Sequence, residues 1–294
     1  MDETMPNEVV TQARIVAGLE QLGLTRQSAV IVHSSLRSFG HVDGGAEAVG
    51  RALVEACGTV MVPAGTWDLS GVDPPPGLRR PMNAYEPSPS WAAFEEQLDR
   101  AKPFSPDLPA DRELGIIPET LRLTQPHQRS THPVFSYVAA GAAAEQVVGA
   151  QRLDWPLGPI EKLAQLDGVV LLLGVTHTAN TTIHLAEQQL GRSTFYRYAK
   201  VDGSWLELPN IPGASHRFDA IEPDLLPHTR EILIGSCRAR AIPIRAVLAA
   251  THARILADPR ALLCSDDPAC RCAAAYEQRL VAEQCTGSAG GLEV

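Results

Sequence analysis

The sequence predicts an α/β fold: a single domain with a mostly parallel or mixed central sheet and flanking helices. Strand-like and helix-like segments alternate along most of the 294 residues, which is typical of βαβ units. The run Val-Val-Leu-Leu-Leu at 169–173 carries no charge, which indicates a strand buried on both faces. No internal repeat is present, so we expect one domain to extend over 1–294.

The clearest βαβ pattern lies in the first part of the chain. Apolar residues at helical spacing predict a helix within 8–22, and a β-branched run predicts a strand at 29–32. A second helix and strand are expected at 45–56 and 59–63. Pro and Gly crowd the stretch 68–89, which we expect to form a long functional loop.

The remaining elements follow from the same periodicities and from turn residues. We expect helices at 91–101, 114–123, 142–148, 159–166, 225–234 and 246–257, strands within 131–140 and at 169–173, a hairpin over 195–208 that turns at Asp202 and Gly203, and an edge strand at 241–244. The tail from about residue 285 contains Gly, Ser and Thr and is expected to be flexible.

Charge and hydropathy narrow the class of function. The formal net charge is −9 and the sequence pI is about 5.5, which argues against a nucleic-acid partner and favours a cationic one. No signal-like start and no apolar run of about 18 residues is visible. We therefore expect a cytoplasmic protein with no membrane partner, as a monomer or homodimer.

Familiar catalytic motifs are missing from the chain. It contains no G-x-S-x-G elbow, no P-loop, no G-x-G-x-x-G after a strand and no H-E-x-x-H. This argues against an α/β-hydrolase, a P-loop kinase, a dinucleotide enzyme and a zinc protease of those types.

The stretch 174–187 follows the buried strand and is where an α/β protein commonly keeps its chemistry. Asn180, Thr181 and Thr182 are N-cap candidates for a helix on which His184 and Glu187 lie three residues apart and share one face. A neutral histidine can take a proton from an amine or hydroxyl nucleophile. His184 is therefore a candidate general base, although a satisfied core histidine beside a surface acid has the same pattern.

The acid that orients His184 stays open at this point. Glu187 is nearest in sequence, but a histidine often receives its partner from a distant loop, and Asp219 or Glu222 is available there.

Polar residues elsewhere are candidates for ligand binding. Two stretches could supply hydroxyls and a cation to a phosphate-bearing cofactor. One is the segment after the first strand, with Ser34, Ser35 and Ser38 among the residues His33, Ser34, Ser35, Leu36, Arg37 and Ser38, and the other is a polar island with Arg129 and Ser130. A group of acids is suited to a polyamine: Asp68, Asp73, Asp107, Asp111 and Glu113. The alternatives are ordinary loop residues and a solvated acidic face.

Cysteines crowd 264–272. Cys264, Cys270 and Cys272 with one histidine would form a tetrahedral structural zinc site, and His216 or His252 is the candidate fourth ligand. A disulfide framework is not expected in a cytoplasmic protein.

Taken together, the motifs resemble the aminoglycoside 3-N-acetyltransferases, and most closely the apramycin-accepting type, which also carries cysteines near its C-terminus. The resemblance rests on L-L-L-G-V-T-H-T-A-N-T-T-I-H-L-A-E, on I-V-H-S-S-L-R-S-F-G and R-S-T-H-P upstream, and on G-T-V-M-V-P and L-G-I-I-P-E-T-L-R. These pieces lie between about residues 26 and 255. The family's fold differs from that of the common GNAT acetyltransferases.

The resemblance implies direct acetyl transfer from acetyl-CoA to the 3-amino group of an aminoglycoside, with His184 as general base and Glu187 and Asn180 beside it. It implies that the loops at 33–38 and 129–130 hold coenzyme A. The acceptor would meet Asp68, Thr182, Glu187 and Asp219. One departure is the segment 212–219, which lacks the family's usual motif after the hairpin, so a third catalytic partner stays open.

Two alternatives remain at this point. The enzyme could acetylate an amine that is not an aminoglycoside, or the chain could be a zinc-stabilised binding protein in which His184 is structural.

Overall fold

A computed structural model describes residues 9–80, 83–192, 195–264 and 270–278. Its helices are α1 Gln12–Gln21, α2 Gly45–Ala56, α3 Trp67–Ser70, α4 Trp91–Arg100, α5 Ile116–Thr124, α6 Ala144–Val148, α7 Gly158–Gln165, α8 Thr182–Gln189, α9 Glu222–Leu225 and α10 Ile244–Ala257. Its strands are β1 Ala29–Ser34, β2 Thr59–Pro63, β3 Gly71–Val72, β4 Gln128–Arg129, β5 Tyr137–Gly141, β6 Val169–Leu173, β7 Phe195–Val201, β8 Ser204–Ile211, β9 Arg230–Ile234 and β10 Cys237–Pro243.

The central sheet is mixed, with strand order β4-β5-β2-β1-β6-β10-β9. Strand β1 pairs in parallel with both β2 and β6, whereas the outer strands pair antiparallel. The predicted fold class, a mixed sheet with flanking helices, is confirmed.

Side chains alternate between the two faces of the central strands, and each face has its own core. Val30 and Val32 pack under α1, α2 and α5, while Ile31 packs on the other face with α6, α7, α8 and α10. The uncharged run of β6 is buried on both sides as its composition predicted.

A second, three-stranded sheet has the order β3-β7-β8. Its hairpin turns at Asp202 and Gly203, as predicted. The Pro- and Gly-rich stretch contributes α3 and the short β3, and its remaining described residues are mostly irregular.

The predicted helix at 225–234 is wrong. The helix α9 stops at Leu225, and the chain forms strand β9 from Arg230 to Ile234. Pro227 interrupts a helix, and Gly235-Ser236 separates β9 from β10 by two residues, which is a hairpin signal.

The edge position expected for 241–244 is also wrong, because β10 lies between β6 and β9. Pro243 is tolerated there since it is the last residue of the strand, where the ladder ends.

The expectation of one domain over 1–294 and of a flexible tail from about 285 concerns residues outside the described ranges as well, and it stays a prediction. Within the described residues no helix has the length and hydropathy that a bilayer span requires.

Candidate active site

The candidate site lies at the carboxyl ends of the neighbouring parallel strands β1 and β6. The strand order reverses here, because β2 pairs with one edge of β1 and β6 with the other edge. The two loops that follow these strands are in contact. A Cβ on Gly174, whose φ is +68°, would lie 1.8 Å from Ser38 Oγ, so a side chain there would clash with the neighbouring loop.

A cavity of about 500 Å³ opens at this edge. Its wall includes six residues that the sequence analysis named as candidates, namely His33, Ser34, Asp68, Glu113, Asn180 and His184. Residues from the second sheet and from the loops complete it, among them Trp67, Tyr85, Phe135, Tyr137 and Arg197.

His184 is held by the acid on its own helix. Its Nδ1 lies 2.7 Å from Glu187 Oε2, and the ring packs 4.6 Å, centroid to centroid, from that of Phe218. Because a carboxylate only accepts hydrogen bonds, the ring proton lies on Nδ1. Nε2 has no hydrogen-bond partner among the described residues, so the neutral ring can accept a proton there.

Asn180 shapes the start of α8. Its Oδ1 accepts a hydrogen bond from the Thr182 N–H at 3.2 Å, although the N-cap residue of α8 is Thr181, whose side chain makes no capping hydrogen bond. Its Nδ2 lies 3.3 Å from His177 Nδ1 and donates to it. The side chain of Asn180 is thus fixed at both ends, and the residue faces the cavity.

Behind Asn180, a histidine, an acid and an arginine form a second, largely buried group. The sequence analysis did not predict that these three residues meet. His177 Nε2 is 3.0 Å from Glu222 Oε2, and Arg240 Nη1 is 2.6 Å from the same oxygen. Burial, followed by the positive charge of Arg240, lowers the pKa of His177. Glu222, one of the acids considered for His184, therefore contacts a different histidine.

Acidic residues form one wall of the cavity. The buried Asp111 accepts hydrogen bonds from the backbone N–H groups of Asp68 (3.2 Å) and Glu113 (3.0 Å), and both of these residues line the cavity. Burial raises the pKa of Asp111. The Asp111 side chain thus organises the backbone that carries the two exposed acids.

Arg197 on β7 brings one positive charge to the same cavity. Its guanidinium lies over the rings of Tyr85 (5.0 Å) and Phe135 (6.0 Å). Burial lowers its pKa. Nothing in the local sequence of β7 indicated that this arginine reaches the site.

Unpaired polar atoms on the cavity wall are available to a ligand. His33 Nε2, Ser34 Oγ and Tyr137 Oη are buried without a hydrogen-bond partner among the described residues. Burial lowers the pKa of His33 to about 4, so the ring is neutral at neutral pH.

The other predicted site residues lie off the cavity wall. Arg129 donates to the carbonyls of Pro106, Leu108 and Ala64, which clamps a loop to β2. The hydroxyl of Ser130 accepts from the N–H of Tyr137. The remaining residues in this group are Ser35, Leu36, Arg37, Ser38, Thr182, Glu187 and Asp219.

Two of these residues have contacts that bear on their predicted roles. Thr182 is fully buried, and Asp219 Oδ1 accepts from the Thr178 N–H at 3.3 Å. Binding roles for the residues off the cavity wall stay predictions.

Three of the four predicted metal ligands are close together. The ligand atoms of His216, Cys264 and Cys270 lie within 4.8 Å of one another. Cys272 interacts with both cysteines, and its Sγ accepts a hydrogen bond from the Ala214 N–H at 3.1 Å. The cluster ties the C-terminal part of the described chain to the segment after β8.

The family model described as aminoglycoside 3-N-acetyltransferase matches residues 31–255. The chain belongs to this family. The YokD protein of Bacillus subtilis, an aminoglycoside N(3')-acetyltransferase-like protein, is 34% identical over 186 residues, which cover 61% of this chain and 65% of YokD. Aminoglycoside N(3)-acetyltransferase IV from a Salmonella species is 33% identical over 180 residues, 60% of this chain and 58% of that protein. The match therefore spans less than two thirds of these relatives.

Solved structures align with a larger share of this chain than the sequence matches do. The crystal structure of YokD has a TM-score of 0.75 at 26% identity and covers 86% of this chain and 95% of that chain. Apo aminoglycoside acetyltransferase AAC(3)-IVa has a TM-score of 0.73 at 27% identity and covers 93% of this chain and 100% of its own. A histidine-to-alanine mutant of AAC(3)-IVa in complex with apramycin has a TM-score of 0.63 at 27% identity and covers 88% and 95%.

Proposed function

We propose that this protein transfers the acetyl group of acetyl-CoA to the 3-amino group of an aminoglycoside. The observation that carries the proposal is the pairing of His184 with Glu187 on the wall of a cavity in a chain of this family. The apramycin complex of AAC(3)-IVa supports the class of acceptor.

In the proposed reaction both substrates bind together and His184 is the general base. Nε2 takes a proton from the amine as its nitrogen attacks the thioester carbonyl carbon. Glu187 holds the ring and stabilises the imidazolium that forms. The tetrahedral intermediate then collapses, the C–S bond breaks, and the leaving thiolate takes up the proton, which yields the amide and free coenzyme A.

Charge supports a polycationic acceptor. Asp68 and Glu113 present carboxylates to the cavity, and the whole chain carries a net charge of −9. Arg197 on the same wall would limit how many ammonium groups fit beside it, because like charges repel.

We propose that the thioester end of acetyl-CoA lies against His33 and Ser34, which line the cavity and have unpaired polar atoms. Tyr137 adds a third available polar group, a hydroxyl whose pKa is raised by burial, so it stays a donor. A role for Arg129 in binding coenzyme A is less well supported, because carbonyl groups already occupy its N–H groups.

The experiment is release of free thiol from acetyl-CoA, followed with a thiol-reactive dye, with apramycin, gentamicin, kanamycin and a non-aminoglycoside amine. We expect release that depends on an aminoglycoside, that is lost in H184A, and that persists in H228A, a variant of an exposed histidine. Full turnover in H184A would contradict the assigned base. Release with the other amine alone would establish a different acyltransferase.

We further propose that the cysteine cluster holds a structural zinc ion. Three thiols and one imidazole are a donor set typical of tetrahedral zinc. The ligand atoms of His216, Cys264 and Cys270 are already close, with Cys272 beside them. The ion would fix the segment around Cys264 to that around His216.

Elemental analysis of the purified protein tests this proposal. We expect about one zinc per chain in the wild type and in C57S, a variant of a buried cysteine elsewhere, and loss of zinc in C264S. Should C264S fold poorly, cobalt added to metal-free wild type is expected to give thiolate charge-transfer absorption. A metal-free wild type without that absorption would rule out the site.

A further inference from the structure

Arg192 is a buried cation that the reaction described above does not use. Its guanidinium contacts Glu187 Oε1, while Glu187 Oε2 lies 2.7 Å from His184 Nδ1. The side chains of Arg192 and Glu187 are 2% and 4% exposed. The two oxygens of one buried carboxylate are thus divided between an arginine and the candidate base.

A helix-ending turn brings Arg192 back to Glu187. Gly191, with φ +63°, follows α8, and the Arg192 N–H donates to the Glu187 carbonyl at 2.8 Å. This bond between residues five positions apart, with glycine in the left-handed conformation, is a Schellman-type ending. It reverses the chain, so that the Arg192 side chain reaches the acid five residues earlier.

The other side of the guanidinium is anchored after α10. Arg192 Nη1 donates to the carbonyl of Ala261 and lies 3.4 Å from that of Pro259. The planar fork of arginine can bind a carboxylate and two carbonyls at once, whereas a lysine ammonium cannot reproduce that geometry.

We propose that Arg192 is a positioning residue for the acetyl transfer, acting through Glu187 on His184; the inference rests on the proposed function. A carboxylate bonded only to His184 could rotate about its own axis. The arginine holds one oxygen in place, so the other stays on Nδ1 and the ring keeps the tautomer in which Nε2 is unprotonated. Its charge also balances the buried carboxylate.

The test compares kcat and the KM for apramycin in R192Q, R192K, E187Q and the double variant. We expect R192Q to lower kcat about 10- to 100-fold while KM stays within about 2-fold, with R192K in between. Because Arg192 acts through Glu187, R192Q in the E187Q background should cost nothing further. R122Q is the matched control: it breaks another partly buried Arg–Glu pair, neither residue of which lines the cavity, and is expected to leave kcat unchanged.

Wild-type kcat in R192Q, or independent effects that multiply in the double variant, would overturn the proposal. Wild type is assayed first, so absence of transfer would count against the function and not against the positioning role. The imidazole Nδ1–H signal of ¹⁵N-histidine-labelled protein reports the same bond without turnover. We expect R192Q and R192K, but not R122Q, to shift or broaden it, and an unchanged signal would contradict the inference.

Discussion

Two His–Glu–Arg groups flank the start of α8, and they differ in whether a ring nitrogen of the histidine is left without a partner among the described residues. In one, His184 gives Nδ1 to Glu187, Arg192 holds the far side of that acid, and Nε2 has no partner among the described residues. In the other, His177 has Asn180 at Nδ1 and Glu222 at Nε2.

This difference is what we expect between a general base and a structural histidine. A histidine can accept a proton only at a nitrogen that is free and reachable, and His184 alone of the two lines a wall of the cavity. His177 is about 1% exposed and lies between Glu222 and the side chain of Asn180. In the proposed function, the same three residue types would therefore supply chemistry in one place and rigidity in the other.

Replacing each of the two histidines by alanine is the strongest test of this comparison. We expect H184A to lower kcat about 10²- to 10⁴-fold, because the base is lost. H177A should stay within about 10-fold of wild-type kcat while its free energy of unfolding falls by about 2 kcal/mol, because it leaves buried polar groups unpaired. Steady-state kinetics and urea unfolding measure both. Equal losses of kcat in the two variants would mean that His177 shares in the chemistry.

The two acids allow the same comparison with a smaller expected effect. E187Q should lower kcat about 100-fold, because the amide no longer stabilises the imidazolium that forms. E222Q should change kcat less than about 5-fold but destabilise the fold by about 2 kcal/mol, because it leaves the buried Arg240 without its carboxylate. A loss of turnover in E222Q as large as that in E187Q would contradict the assignment.

The pH dependence of the free energy of unfolding tests the structural role of His177. The pKa of His177 is lowered in the folded protein, so below its ordinary value of about 6.5 the unfolded chain binds a proton that the folded chain does not. Stability is thus expected to fall as pH falls below about 6.5, and H177N should reduce that slope. His33 and His132, whose pKa values burial lowers to about 4, act in the same direction.

Unfolding in urea at pH values between about 4 and 7 measures this slope, with the exposed His228 replaced in H228N as control. An H177N protein with the wild-type slope would show that His177 contributes nothing to it.

The smallest effect is expected at Asp219. Asp219 accepts a 3.3 Å hydrogen bond from the Thr178 N–H and does not line the cavity, so D219N should change kcat and the apramycin KM less than about 2-fold. A clear rise in KM for the drug would instead support its predicted role in binding substrate. D68N, which removes an acid on the cavity wall, is the reference variant against which the change in KM of D219N is compared.

Much of the fold followed from local patterns. The charge-free run at 169–173, the helix after Asn180 and the hairpin at Asp202-Gly203 were all predicted from periodicity and turn chemistry. The strand at Arg230–Ile234 was missed because its apolar residues are equally compatible with a helix over so short a run. Its pairing with β10 decides between the two.

In the site too, contacts within one element could be predicted from the sequence, whereas contacts between distant residues could not. The sequence alone placed His184 and Glu187 on one helix face, because residues three apart share it, but only the structure chose Glu187 over Asp219 and Glu222 as the acid on the ring. The sequence did not determine that Arg192 is anchored by carbonyls at Pro259 and Ala261, that Arg197 stands among the acids of the cavity, or that His216 meets Cys264. Those contacts join residues far apart in the chain, and the packing of the whole sheet and its helices selects them, whereas helix geometry fixes the first pair within a single turn.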